Sequence, residues 1–207
     1  MIMGKIGIMG GTFDPIHNGH LLIGGQAYKE YGLKEIWYMP SGHPPHKKSR
    51  NVTEPAMRLA MTELAVKDHE GFVCSDFEVS RNGYTYTAQT LRLLHEEYPE
   101  HSFYFIIGAD SLYEIENWYE PDQVLSQAVI LAARREYEEA DRSMDKQIAY
   151  LASKYGADIR TLHCGEMDIS SAELRRMIAS GQSIANYVPR EVIEYIRAHS
   201  LYQELEP

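Results

Sequence analysis

Residues 5–20 read KIGIMGGTFDPIHNGH, and the reading of that stretch decides the fold. The apolar run ends on Gly10-Gly11, Asp14-Pro15 fixes a turn, and the spacing predicts a helix over 18–31. Glycines directly behind a strand let backbone N–H groups approach a phosphate with no Cβ in the way. His17 and His20 then lie close to the first helical turn, where a helix tip carries partial positive charge and unpaired N–H donors. Two imidazoles placed there can donate to phosphate oxygens as negative charge shifts. A glycine pair alone, or a histidine pair alone, is more often an ordinary turn. All eleven residues of 10–20, set between a strand and a helix, describe a phosphate site.

Working outward, strand-like and helix-like segments alternate to the end of the chain. EIWYMP (35–40) reads as a strand, and SGHPPHKKSRNVTE (41–54) as a loop, with its proline pair and its cations. Over 55–68 a core-facing helical stripe is predicted from Met57, Leu59, Ala60, Met61, Leu64 and Ala65. GFVCSDFEVS (71–80) reads as extended, and 87–98 as a helix capped by Thr87. SFYFIIGAD (102–110), ended by Gly108, is the strongest buried strand, followed by AVILAARR (128–135). A polar helix at 140–155, a strand DIRTLHC (158–164) and two short helices at 170–180 and 189–199 complete the pattern. Continuous apolar strands alternating with helices indicate an α/β, doubly wound, mainly parallel sheet covered on both faces. The expectation is a single domain, 1–207, with a C-terminal helical part at 168–207. In such folds ligands bind beyond the carboxyl ends of the strands, where strand order reverses.

Bulk composition narrows the partners. The 207 residues carry a formal net charge of −10, which disfavours gripping a polynucleotide backbone and leaves small anionic ligands open. No apolar run approaches the ~20 residues of a membrane span, so no membrane partner is expected. Cys74 and Cys164, the only two cysteines, form no metal-type pair, and a reducing cytoplasm is the simplest setting. A homo-oligomer is left open, because an exposed apolar stripe cannot be told from core in a sequence.

HNGH (17–20) resembles the His-x-Gly-His signature of the nucleotidylyltransferase superfamily, and GGTFDPIHNGH (10–20) resembles its nicotinate mononucleotide adenylyltransferase branch. The resemblance runs from residue 5 to about 200. It implies a Rossmann-like nucleotidylyltransferase fold. It also implies direct attack of the 5′-phosphate of nicotinate mononucleotide on the α-phosphorus of ATP. Pyrophosphate leaves, deamido-NAD forms, no covalent enzyme intermediate is used, and Mg²⁺ travels with the ATP phosphates. His17 and His20 take the catalytic positions; no metal ligands are expected in the chain.

On the ATP side the resemblance implies Gly10, Gly11, Thr12 and Phe13 in the first turn, together with Gly108. It adds Arg134 near the adenine. ISSAELRR (169–176) supplies Ser170 and Ser171 as cap and anion donors, and Arg175. On the pyridine-nucleotide side PPHK (44–47) supplies Lys47 near bound phosphates, and YTYTAQTL (84–91) supplies Thr87 facing the nicotinate end. GADSLYEIENW (108–118) supplies Asp110 for a ribose hydroxyl and Trp118 to stack on the cationic ring. The chain departs from the family pattern in having Gln89 where Asp is usual, and Arg135-Glu136 where Pro-Gly often stands. Another acceptor, either the amide-form nucleotide or phosphopantetheine, is the nearest alternative. A class I aminoacyl-tRNA synthetase is excluded by length and charge. A non-catalytic nucleotide sensor would have lost His17, His20 or Arg175, and all three are present.

Overall fold

Uninterrupted burial marks the central strands. Ile6, Ile8 and Met9 in β1 (Lys5–Gly11) and every residue of Phe103–Ile107 in β4 (Ser102–Ile107) are buried, as strands covered on both faces require. The structure, a computed structural model, describes residues 4–44, 52–134, 143–165 and 169–204. After β1 come α1 (Asn18–Tyr31), β2 (Glu35–Pro40), α2 (Pro55–Val66), β3 (Phe72–Cys74) and α3 (Thr87–Glu97). Beyond β4 lie α4 (Ala109–Glu114), a 3-10 turn (Ile115–Asn117), α5 (Pro121–Gln127), β5 (Val129–Ala133) and α6 (Met144–Tyr155). β6 (Ile159–Leu162), α7 (Ser171–Ala179) and α8 (Arg190–Ala198) close the chain.

The six strands are ordered β3-β2-β1-β4-β5-β6, and the pairs β1–β4, β4–β5 and β5–β6 are parallel. This is the doubly wound order, reversing beside β1 and β4, where the fold class binds ligands. Met9 stands opposite Ile106 in that register, so Gly10 and Gly108 follow at the carboxyl ends of the two switch-point strands. None of the described helices is long and apolar enough to cross a membrane.

The chain separates into two compact units, each assembled from three stretches. The first takes Met1–Gly10, Ile23–Trp37 and Tyr86–Gly165; the second takes Gly11–Leu22, Tyr38–Thr85 and Glu166–Pro207. In the first, Phe103, Ile106, Ile130, Leu131 and Leu151 form the centre of the core. In the second, α2 packs against β3 and α8.

Four sequence expectations are corrected. The buried face of α2 is Arg58, Met61, Thr62, Ala65 and Val66, rotated from the apolar stripe read in the sequence. Two polar residues sit in it because each finds carbonyl partners: Thr62 Oγ donates to Arg58 O at 2.8 Å, and the Arg58 contacts are given below. The extended reading of 71–80 holds only for Phe72–Cys74. Beyond it Ser75 Oγ accepts from Phe77 N–H, Ser80 Oγ donates to Asp76 Oδ2 at 2.8 Å, and Ser80 N–H donates to Asp76 O. These local bonds outcompete a ladder. Thr87 is not a cap: Tyr86 occupies the N-cap position, Thr87 is the first helical residue, and no side chain caps the helix. The segment 109–127, read without helices, contains α4, the 3-10 turn and α5.

Candidate active site

The turn between β1 and α1 lies in the second unit, and its geometry explains the spacing of HNGH. His17 Nδ1 accepts the Gly19 N–H at 3.2 Å. His20 Nδ1 accepts the His17 N–H at 3.3 Å. The cap side chain thus bonds a first-turn amide, and the side chain three residues on bonds the cap amide. This is the reciprocal logic of a capping box, with histidines in the places of Ser and Glu. Gly19 is required between them: a Cβ there would stand 2.9 Å from His17 Nδ1.

The helix tip is therefore not open. Asn18 N–H donates to Tyr187 O at 2.8 Å, and the His20 and Leu21 amides donate to His17 O at 2.9 and 3.3 Å. With Gly19 N–H on His17 Nδ1, the first four amides are all spent internally. The expectation of unpaired tip donors is corrected: the donors that remain are on the rings themselves. Because each Nδ1 accepts, each neutral ring carries its proton on Nε2.

Burial keeps both rings neutral. His17 is 6% exposed, and desolvation pulls its pKa from 6.5 down to about 4. His20 is pulled well below 6.5, first by burial and then by the neighbouring His17. The rings lie 3.7 Å apart, centroid to centroid, tilted by 31°. Phe13 presents its edge to His20 at 4.9 Å. Phe13 is 2% exposed and has a φ of 50°, an uncommon left-handed backbone for a bulky residue. With its ring in the core, only its backbone can meet a ligand. Among the described residues the Thr12 and Phe13 amides make no hydrogen bond.

Three side chains that the sequence reading gave no place in the site brace this turn. Asp14, 2% exposed, accepts the Tyr202 hydroxyl on Oδ1 at 2.6 Å and the Thr53 N–H on Oδ2 at 3.2 Å. Arg58, fully buried, donates to Thr12 O at 2.7 Å. Tyr202, from the C-terminal segment, has its phenol pushed up by burial and by the Asp14 charge. Only a signal for polar residues on a buried helical face could have flagged Arg58, and neighbouring apolar residues masked it.

Of the residues expected at the ATP phosphates, two from α7 meet the same turn. Arg175 Nη1 donates to Asp14 O at 2.7 Å. Ser171 Oγ donates to Pro15 O at 2.9 Å, so its hydroxyl hydrogen is already used. Ser170 caps α7, its Oγ accepting the Glu173 N–H at 3.1 Å. Arg175, Arg176, Tyr202, Gln203 and Glu204 line a cavity of about 330 Å³.

Of the remaining expected residues, Gly10, Thr87, Gly108, Asp110, Trp118 and Arg134 lie in the first unit. Gly10 and Trp118 share one neighbour, Phe105. A Cβ on Gly10 would lie 3.4 Å from its ring, and Trp118 stands perpendicular to it at 6.2 Å. Trp118 is half-buried rather than core. Gly108 is the N-cap of α4, and a Cβ there would come within 2.6 Å of Asp110 Oδ1. Asp110 is exposed in the first turn of that helix. Arg134 is exposed and faces Asp145 at 3.8 Å. Lys47 and Arg135-Glu136 lie outside the described residues. Among the described residues no three His, Cys, Asp or Glu side chains converge as metal ligands.

Residues 8–177 match the family described as cytidylyltransferase-like. A protein of Lachnoclostridium phytofermentans named "Probable nicotinate-nucleotide adenylyltransferase" is 44% identical over 200 residues, covering 97% of this chain and 100% of its own. One of the same name from Clostridium botulinum is 37% identical over 203 residues, covering 98% and 100%. In fold, the chain is similar to the Plasmodium falciparum nicotinic acid mononucleotide adenylyltransferase complexed with NaAD, at a TM-score of 0.80, 22% identity, and coverage of 97% and 98%. Likeness of that extent runs through both units and the histidine turn alike: the chain belongs to the cytidylyltransferase-like family, among its nicotinate-nucleotide adenylyltransferases.

Proposed function

We propose that this protein transfers the adenylyl group of ATP to nicotinate mononucleotide, in a single catalytic domain. An oxygen of the mononucleotide's 5′-phosphate bonds to the α-phosphorus of ATP. The bond from that phosphorus to the α,β-bridging oxygen breaks, and pyrophosphate leaves with those electrons. The attacking phosphate is already anionic, so no base is needed. The observation that carries the reading is the pair of neutral rings, each held by a backbone N–H on Nδ1 and each with an Nε2–H to give. Fixed donors in a water-poor setting stabilise oxygens that gain charge in such a transfer.

His17 and His20 are the catalytic donors. Gly10, Gly11 and the Thr12 and Phe13 amides receive ATP phosphates, with Arg175 and the Ser170–Ser171 helix start beside them. ATP enters as its Mg²⁺ complex. Gly108 and Arg134 contact the adenosine part, and Lys47, Thr87, Asp110 and Trp118 bind the pyridine nucleotide. The half-buried Trp118 leaves a face for the pyridinium ring, a contact worth roughly 0.5–2 kcal/mol.

The test is pyrophosphate release with Mg²⁺-ATP and, in parallel, nicotinate mononucleotide, its amide form or phosphopantetheine. The expected result is deamido-NAD formation, with the acid form giving the highest kcat/KM. Faster turnover of another acceptor would reassign the substrate, and no pyrophosphate with any acceptor would make the protein a sensor.

A further inference from the structure

Arg58 is a fully buried cation on a helix face otherwise made of Met61, Thr62, Ala65 and Val66. An apolar side chain of similar volume would fill that place without taking a charge out of water. Four of the five guanidinium N–H donors go to backbone carbonyls. Nε donates to Thr53 O at 2.8 Å and Nη1 to Thr12 O at 2.7 Å. Nη2 donates to Ser41 O at 2.6 Å and Gly42 O at 3.0 Å. Three separate stretches meet on one planar fork: the histidine turn, the two residues after β2 and the residue before the α2 N-cap. Burial pulls the Arg58 pKa down, and the Asp14 charge is the largest influence opposing it. Asp14 in turn accepts the Thr53 N–H at 3.2 Å, so Thr53 is held on its carbonyl side by Arg58 and on its amide side by Asp14.

The Thr12 contact has a directional consequence. A trans peptide is planar, with its N–H pointing opposite to its C=O. A guanidinium gripping Thr12 O therefore aims the Phe13 N–H away from itself. That amide makes no hydrogen bond among the described residues.

We propose that Arg58 is a positioning residue for adenylyl transfer: by fixing the Thr12 carbonyl against Ser41, Gly42 and Thr53 it aims the Phe13 N–H as a preset donor to an ATP phosphate. Lysine cannot replace it, because an ammonium lacks the planar fork that reaches all four carbonyls. The inference rests on the transferase reading above.

The experiment compares wild type with Arg58→Lys, using thermal unfolding to establish the folded fraction and steady-state kinetics for both substrates. In folded Arg58→Lys, kcat/KM for ATP should fall about 10²-fold, as misplacement by an ångström does. KM for nicotinate mononucleotide should change less than about threefold, since none of the four carbonyls that Arg58 holds belongs to a residue placed on the pyridine-nucleotide side. Unchanged kcat/KM for ATP, or equal losses for both substrates, overturns the proposal. If Arg58→Lys does not fold, amide hydrogen exchange on wild type decides. Adding α,β-methylene-ATP should slow exchange at Phe13, and no slowing there overturns the proposal. Wild type inert with every acceptor would instead refute the transferase reading, while the exchange arm still reads Phe13.

Discussion

The turn after β1 and the turn after β4 both follow buried parallel strands, yet they are built in opposite ways. After β1, the protein's own groups close every first-turn amide of α1, brace Asp14 from two sides and grip the Thr12 carbonyl. After β4, Gly108 caps α4 with no side-chain bond, Asp110 faces solvent, and Trp118 touches Phe105 only by an edge. What steadies the second region is a single carboxylate at its base. Glu116 Oε1 accepts from Lys154 at 2.7 Å, Tyr155 at 2.9 Å and Tyr150 at 3.3 Å. The contrast teaches a division of labour. Donors that meet a charge as it develops must not reorganise, whereas a ring that recognises a flat cation needs a face and little else.

The sharpest way to break that contrast is His20→Ala. Loss of one fixed donor to a developing charge costs about 10²–10³ in kcat, and KM for ATP should stay within about threefold. Equal losses in kcat and in ATP binding would mean that the ring only holds substrate.

The next effect is on stability. The folded His17 pKa of about 4 lies below its ordinary 6.5. Between those values the unfolded chain takes up a proton that the folded ring refuses, so stability falls as pH falls from 6.5 towards 4. The contribution is fully present above 6.5 and amounts to something on the order of 3 kcal/mol. Urea unfolding at pH 7.5, 6 and 5 should show this decline, and His17→Asn should lessen it, leaving the part that the buried His20 contributes. An identical decline in the variant would assign it to other groups.

The smallest effect belongs to the second turn. Trp118→Ala should raise KM for nicotinate mononucleotide by roughly 2–30-fold, matching 0.5–2 kcal/mol, and leave KM for ATP nearly unchanged. A comparable rise for ATP would make Trp118 part of the packing.

Much of this was legible in the sequence wherever one local rule dominated. Periodicity marked α1 and β2 to the residue, and the β1 turn carried its chemistry in its spelling. Legibility ended where long-range polar contacts decide. The α2 face turned towards Arg58 because carbonyls from residues 12, 41, 42 and 53 await it, and no window of local sequence contains them. The closed helix tip depends on Tyr187, far along the chain. Ser171 read as an anion donor, yet its hydrogen goes to Pro15. Asp14 read as a turn former and is also the acceptor on which Thr53 and Tyr202 converge. HNGH itself could have been read as a capping box, since its two histidines stand at the cap and three residues on; the usual Ser and Glu spelling hid it.

Everything in the mechanism depends on two uncharged rings with protons on Nε2. Long-range ¹H–¹⁵N correlation spectra of the histidine side chains at pH 7 read both charge and tautomer directly. The expected result is neutral Nε2–H rings for His17 and His20, with His17 protonating only near pH 4. A proton on Nδ1 of either ring, or an imidazolium at pH 7, would contradict the account.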